Sequence, residues 1–271
     1  MLIKNLLPKR TRLSNKTDGG KVLIIGGGKG LHGAGLLSAL AATKCGAGYT
    51  HLMTDLVNYP WLRFPDFILH SLKISNLKNK NDFSIGMGPG LGKGLISFSL
   101  LKYLIKNKFE IVTLDADALN LIAEKNIFPL PCSWILTPHE GELAKLLNVK
   151  SITVKNNRKK MLKIAGRKFQ CVILLKGNET LVFTPESSKV RSIKSNAVSL
   201  SKAGTGDVLL GMITAFRAQG INSLKACLLS CAIHSEAALL FESEGNDHIS
   251  LRPIDLINNI PKAIFRLRHP K

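Results

Sequence analysis

Short apolar runs alternate with helical stretches along this 271-residue chain, and that alternation sets the fold class. Lys21-Val22-Leu23-Ile24-Ile25-Gly26 opens the series as a buried-strand pattern that ends in glycine. Further strands are predicted around residues 49–54, 83–86, 110–114, 133–137 and 171–175, with a hairpin at 180–184 and 190–193. Between and after them, helices are predicted at 33–47, 95–106, 207–219, 223–241 and 253–268. Strands that alternate with helices imply an α/β fold with a mostly parallel sheet covered on both faces. The length suits one large domain spanning residues 1–271. There is no repeat, low-complexity tract or linker.

Composition narrows the class. The formal net charge of +20 raises nucleic acid as a partner. Its distribution argues against that, because the basic residues cluster at 4–21, 155–168 and 262–271 without aromatic residues interleaved to stack bases. The middle cluster lies on a helical pattern with Met161, Leu162, Ile164 and Ala165, and reads as a solvated outer face. Neither a membrane nor a specific nucleic acid is therefore expected as a partner. No uninterrupted apolar run reaches the roughly 18 residues of a membrane span. Residues 1–12 lack the apolar core and cleavage site of a signal peptide. Cys45, Cys132, Cys171, Cys227 and Cys231 lack metal spacing, and a reduced cytoplasm fits them best.

In such sheets ligands sit outside the carboxyl ends of the strands, so the residues just after each strand matter most. Gly26 to Gly33 comes after the first, but its spacing departs from a dinucleotide fingerprint and no acid ends the next strand. Gly86-Met87-Gly88-Pro89-Gly90-Leu91-Gly92 lets backbone approach a ligand closely. Asp115-Ala116-Asp117-Ala118-Leu119-Asn120 places carboxylates at a strand end, where helix capping is the ordinary role. In Thr137-Pro138-His139-Glu140-Gly141-Glu142, Pro138 is expected to start a helix, and Glu142 either holds a hydrated metal or caps that helix. Lys176-Gly177-Asn178-Glu179-Thr180 offers a cation and a turn suited to phosphates, or simply leads into the hairpin.

Ser201-Lys202-Ala203-Gly204-Thr205-Gly206-Asp207 is the most telling segment. Glycines around a threonine at a helix start leave N–H groups free to face an anion, and the helix dipole adds positive charge there. Asp207 in the first turn is then a natural base for activating a hydroxyl toward a phosphoryl group. The plainer reading is a Gly-rich turn with Asp207 stabilising the helix start. Taken with the loops on the same edge, a nucleotide-dependent enzyme is the economical reading.

The ordered set of segments 21–48, 88–92, 114–120, 135–142, 175–180 and 203–211 resembles the ADP-dependent NAD(P)H-hydrate dehydratase family. That family is a branch of the ribokinase-like three-layer α/β/α fold. Gly-Thr-Gly-Asp marks the superfamily, whereas Thr137-Pro138-His139-x-x-Glu142 and Lys176-Gly177-x-x-Thr180 carry the specific resemblance. The resemblance implies a hydro-lyase of metabolite repair, which returns the S-epimer of NAD(P)H hydrate to NAD(P)H while ADP becomes AMP and phosphate, with Mg²⁺. It makes Asp207 the base and gives Lys176, Gly177, Asn178, Glu179, Thr180, Gly204, Thr205 and Gly206 to the nucleotide. Ala34, Gly90, His139 and Asp207 would line the hydrate pocket, and Glu142 is the candidate metal residue. His139, where the ATP-using branch carries asparagine, resembles the ADP-using branch. A homo-oligomer, tetramers included, and a cytoplasmic setting are also implied.

The chain departs from the family pattern at Lys202, which precedes Ala203-Gly204 where a small or hydroxyl residue is usual, and at Gly28-Lys29-Gly30. It has no epimerase segment ahead of the dehydratase pattern, so a separate NAD(P)H-hydrate epimerase is expected as a pathway partner. The competing reading is an ATP-using vitamin-precursor or sugar kinase of the same fold.

Overall fold

Along β1 (Lys21–Ile25), successive side chains enter different cores: Leu23 and Ile25 pack into one, Val22 and Ile24 into the other. A strand alternates faces with a period of two, so one that is apolar throughout needs cover on both sides. The computed structural model, which describes residues 3–55, 66–187, 189–195 and 197–270, supplies that cover.

The remaining strands are β2 (Tyr49–Met53), β3 (Ile68–His70), β4 (Ser84–Met87), β5 (Val112–Leu114), β6 (Ile135–Leu136), β7 (Val172–Leu175), β8 (Glu179–Phe183) and β9 (Val190–Lys194). They form one nine-stranded sheet in the order β3-β2-β1-β4-β5-β6-β7-β8-β9. Pairing is parallel from β3 through β7, and the β8–β9 hairpin closes the edge antiparallel. One face is packed by α2 (Leu95–Lys106), α3 (Ala116–Lys125), α4 (Glu140–Leu147), α5 (Ser151–Asn156) and α6 (Arg158–Phe169). The other is packed by α1 (His32–Lys44), α7 (Thr205–Ala218), α8 (Ser223–Ser243) and α9 (Pro253–Arg268). The result is the three-layer α/β/α arrangement expected from the alternation.

Several expectations are refined. β3 lies outside the strands expected from sequence, since a three-residue strand with no fully buried residue gives little periodic signal. The basic stretch at 155–168 divides at Asn157 into α5 and α6. Pro138 does not start α4; that helix begins at Glu140 with His139 as its N-cap. α8 is long and apolar enough to cross a membrane by length and composition, although it has no unbroken apolar run. Over half of its apolar window, 56%, is buried inside the fold, where α8 packs against α7 and α9. The five cysteines are free, and Cys227 and Cys231 pack on the buried side of α8.

α7 positions the site. Every residue from Val208 to Phe216 is buried, so the helix cannot shift without disturbing the core. Its N-cap is Gly204, whose φ of 90° is left-handed and whose added Cβ would lie 2.6 Å from Pro253. Thr205 Oγ1 donates to the carbonyls of Leu200 and Lys202, which fixes the turn feeding the helix.

Candidate active site

The carboxyl ends of β5, β6 and β7 and the start of α7 enclose a cavity of about 810 Å³. Each end contributes a charge. Asp115 follows β5, Glu142 lies in the first turn of α4 behind β6, Lys176 follows β7, and Asp207 lies in the first turn of α7. Asp115 occupies the N-cap position of α3 yet makes no capping bond. Its Oδ1 instead accepts from Lys176 Nζ at 2.7 Å, and Glu142 Oε2 lies 3.7 Å from the same ammonium. A Cβ added at Gly206 would stand 3.5 Å from Lys176 Nζ and 3.8 Å from Asp115 Oδ2, so the helix start lies directly over this ion pair.

Burial and charge set the protonation states. Burial works against the Lys176 charge, but Asp115, Glu142 and Asp207 outweigh it and hold the ammonium above its ordinary range. Asp207 is pushed up to about 7, first by burial and then by Asp115 and Glu142, with Lys176 opposing. Burial also raises Glu142, against the pull of Lys176. A carboxylate that titrates near neutrality inside a cleft is suited to receive a proton. Behind α7, burial lowers His234 to about 4, and its neutral ring donates from Nε2 to the Thr205 carbonyl at 2.9 Å.

Of the residues expected from sequence, the cavity wall brings together His139, Glu142, Lys176, Gly177, Asn178, Thr180, Gly204, Thr205, Gly206 and Asp207. Glu179, between Asn178 and Thr180, is outside this lining and turns its carbonyl to Arg158. Ala34 and Gly90 are also outside it but adjoin one another, since a Cβ at Gly90 would be 3.1 Å from that of Ala34. Ser38 links them to Asp207: its Oγ contacts the carbonyls of Ala34 at 3.1 Å and Asp207 at 2.9 Å. Asp117, on the same α3 turn as Asp115, accepts from Gly92 N–H and ties down the loop that carries Gly90.

The His-x-x-Glu segment is a capping box. His139 Nδ1 accepts from the N–H groups of Gly141 and Glu142, while Glu142 Oε2 accepts from His139 N–H at 2.8 Å. That bonding leaves Nε2 as the ring's donor, 3.6 Å from Glu142 Oε1. Of the alternatives for Glu142, capping is the one observed. Among the described residues no group of three or more His, Cys, Asp or Glu side chains forms a cation cage. The Asp115 carboxylate suits a Mg²⁺ that arrives on phosphates, because Mg²⁺ commonly takes one or two protein carboxylates beside substrate oxygens.

Sequence reading missed Arg158, which it places on a solvated face, and the partner of Asp115. It also missed Ala116, which lines the cavity with a left-handed φ of 48° beside Asp115.

Comparison with known proteins bears on this arrangement. The ADP-dependent (S)-NAD(P)H-hydrate dehydratase of Neisseria meningitidis is 32% identical over 87% of this chain and 82% of its own length. The bifunctional NAD(P)H-hydrate repair enzyme Nnr of Coxiella burnetii is 34% identical over 89% of this chain; the match covers half of that longer protein. Among solved structures, the ADP/ATP-dependent NAD(P)H-hydrate dehydratase of Bacillus subtilis, crystallised with ATP and Mg²⁺, superposes with a TM-score of 0.85 and 26% identity. That likeness covers 98% of this chain and 96% of the other, and the fold is the ribokinase-like one. The family model for NAD(P)H-hydrate dehydratase matches residues 22–262, from β1 into α9 and across every strand end that builds the cavity. With its Gly-Thr-Gly-Asp helix start set over the Lys176–Asp115 pair, the chain belongs to the NAD(P)H-hydrate dehydratase family.

Proposed function

We propose that residues 1–271 act as one dehydratase domain that converts the S-epimer of NAD(P)H hydrate to NAD(P)H as ADP becomes AMP and phosphate. The observation that carries this reading is Asp207: a carboxyl group raised to about 7, at a helix N-terminus, in a cavity shared with a buried Lys–Asp pair. Hydroxide is a poor leaving group, so the ring hydroxyl is phosphorylated first. Asp207 takes the hydroxyl proton as that oxygen attacks the β-phosphorus of ADP, and AMP departs. The N–H groups of Gly204 and Gly206 and the α7 dipole face the charge on the transferring phosphoryl group, the Thr205 N–H being given to the Lys202 carbonyl, and Lys176 adds a fixed positive charge nearby. The ring nitrogen lone pair then expels phosphate, and loss of a ring proton restores the double bond. Mg²⁺ bound with the nucleotide would neutralise phosphate charge, with Asp115 as its protein oxygen.

The loop at 176–180 is the nucleotide seat in this proposal, and Ala34, Gly90 and the Nε2–H of His139 face the hydrate. ADP is the donor, in keeping with the named activity of the Neisseria relative. A cytoplasmic homo-oligomer supplied by an epimerase activity completes the proposal. The test is recovery of reduced-nicotinamide absorbance from NADPH hydrate with Mg²⁺ and ADP, ATP or neither. Recovery with ADP that disappears in Asp207→Asn is the expected result. No recovery with either nucleotide, from folded protein, would overturn the proposal in favour of a kinase.

A further inference from the structure

We infer that Arg158 is a positioning residue that holds the turn after β7 in the shape that receives the adenine nucleotide. The inference rests on the proposed use of ADP. Arg158 opens α6, far in sequence from the turn it controls, and only 19% of its side chain is exposed. Its guanidinium grips both ends of the turn: Nη2 donates to the Lys176 carbonyl at 3.0 Å and Nη1 to the Glu179 carbonyl at 2.7 Å. Nε lies 3.0 Å from Glu140 Oε1, an ion pair with the first residue of α4 in which Nε itself makes no hydrogen bond. Gly177 makes the approach possible, since a Cβ there would lie 2.4 Å from Nη2.

A planar guanidinium can donate to both carbonyls together, and a lysine ammonium at the end of a flexible stem cannot reproduce that fork. The grip also bears on the charge cluster. Lys176 is held at its carbonyl by Arg158 and at its ammonium by Asp115, so the turn and the buried ion pair share one registration. Glu140, Lys176, Gly177 and Arg158 all line the same cavity, which places the clamp beside the nucleotide rather than behind it.

A clamp on a binding turn acts on nucleotide affinity more than on chemistry, because the turn holds ADP similarly in the ground and transition states. In Arg158→Met, the Kd and KM for ADP are expected to rise about tenfold, the scale of lost charge-assisted hydrogen bonds. The kcat should change by less than about threefold, and the KM for NADPH hydrate should stay near wild type. Amide hydrogen exchange at 177–180 should quicken in the nucleotide-free protein while that of α7 stays unchanged. Arg158→Lys should recover little of the affinity. Glu140→Gln keeps the fork but removes its ion pair, and should weaken ADP binding about two- to threefold, which gives a milder variant if Arg158→Met folds poorly.

Unchanged ADP affinity together with unchanged exchange at 177–180 would overturn the inference. So would a loss spread equally over ADP, hydrate and kcat. A wild-type protein that binds ADP but leaves NADPH hydrate untouched refutes the dehydratase proposal alone; the calorimetric ADP affinities of the variants still decide the clamp. A wild type that binds no ADP overturns both.

Discussion

Among the described residues, two groups of ionisable side chains, one lining the cavity and one partly buried at the sheet edge, are built on opposite principles. At the carboxyl ends of β5 and β7, Lys176 sits among Asp115, Glu142 and Asp207, whose negative charges hold its ammonium above its ordinary range, while burial and the neighbouring carboxylates push Asp207 up to about 7. On β2 and β3, His51 and His70 stack with ring centroids 5.0 Å apart and share one hydrogen bond of 2.8 Å between Nδ1 and Nε2. Lys80 and Lys21 stand nearby, the latter paired with Asp82 at 2.6 Å. Burial first, then Lys80, His70 and Lys21, push His51 down to about 4. Burial and Lys80 lower His70 as well. Both groups are perturbed, but the first opens into a large cavity under a helix N-terminus and the second fills the sheet edge. A shifted proton affinity therefore marks a site only when geometry offers something for the proton to reach.

The contrast fails outright if the base is misassigned. Asp207→Asn should cost turnover about 10²- to 10⁴-fold, measured as NADPH recovery. Wild-type kcat/KM should rise with pH through about 7 as Asp207 deprotonates. The folded pKa is raised, so the stability linked to this group is full below its unfolded value of about 3.9 and is lost as pH rises to about 7. Asp207→Asn should accordingly raise Tm relative to wild type at pH 8 and much less at pH 4. An unchanged Tm difference between those pH values would contradict the buried-charge account. Lys176→Met removes the counterion of Asp115 and should destabilise by about 3 kcal/mol, the scale of breaking a buried pair. Adding Asp115→Asn should recover part of that loss in urea unfolding, whereas additive losses would deny the coupling.

The histidine pair predicts the reverse pH trend and no catalytic effect. Its folded pKa is lowered, so its contribution is full above the unfolded value of about 6.5 and is lost as pH falls to about 4. His51→Phe keeps an aromatic partner for His70 and for Phe83, which meets the His51 ring edge-on. Urea titrations between pH 4 and pH 7 should show a shallower acid-side loss in that variant, with turnover at neutral pH unchanged. A retained slope would place the acid sensitivity elsewhere.

Range along the chain decides how much of this is legible in the sequence. Local chemistry is readable: the apolar strand β1, the β8–β9 hairpin, and a helix opened by Gly204-Thr205-Gly206-Asp207 are each written within a few residues. The Lys176–Asp115 pair joins residues 61 apart, and nothing local distinguishes Asp115 from an ordinary helix cap. Arg158 looks like one more cation in a basic run because its partners lie on α4 and after β7. His139 stands at the cavity as its position in the sequence implies, but its ring serves the start of α4 before it can serve a ligand. Such residues gain their meaning only when the sheet brings strand ends together.

Lys202 tests the other limit of the comparison, a cation near the site that belongs to neither cluster. A cation at this position either adds a phosphate contact or simply reaches solvent, and it does border the cavity. Its ammonium instead donates to the Ile249 carbonyl at 2.8 Å, an exposed bond joining the turn before α7 to the segment before α9. An exposed hydrogen bond of this kind contributes about 1 kcal/mol or less, and no buried carboxylate depends on it. Lys202→Met should leave kcat and the KM for ADP within about twofold of wild type and lower Tm slightly. A tenfold rise in the KM for ADP would show that Lys202 leaves Ile249 when nucleotide binds, and would extend the cationic side of the site from Lys176 to the turn that feeds α7.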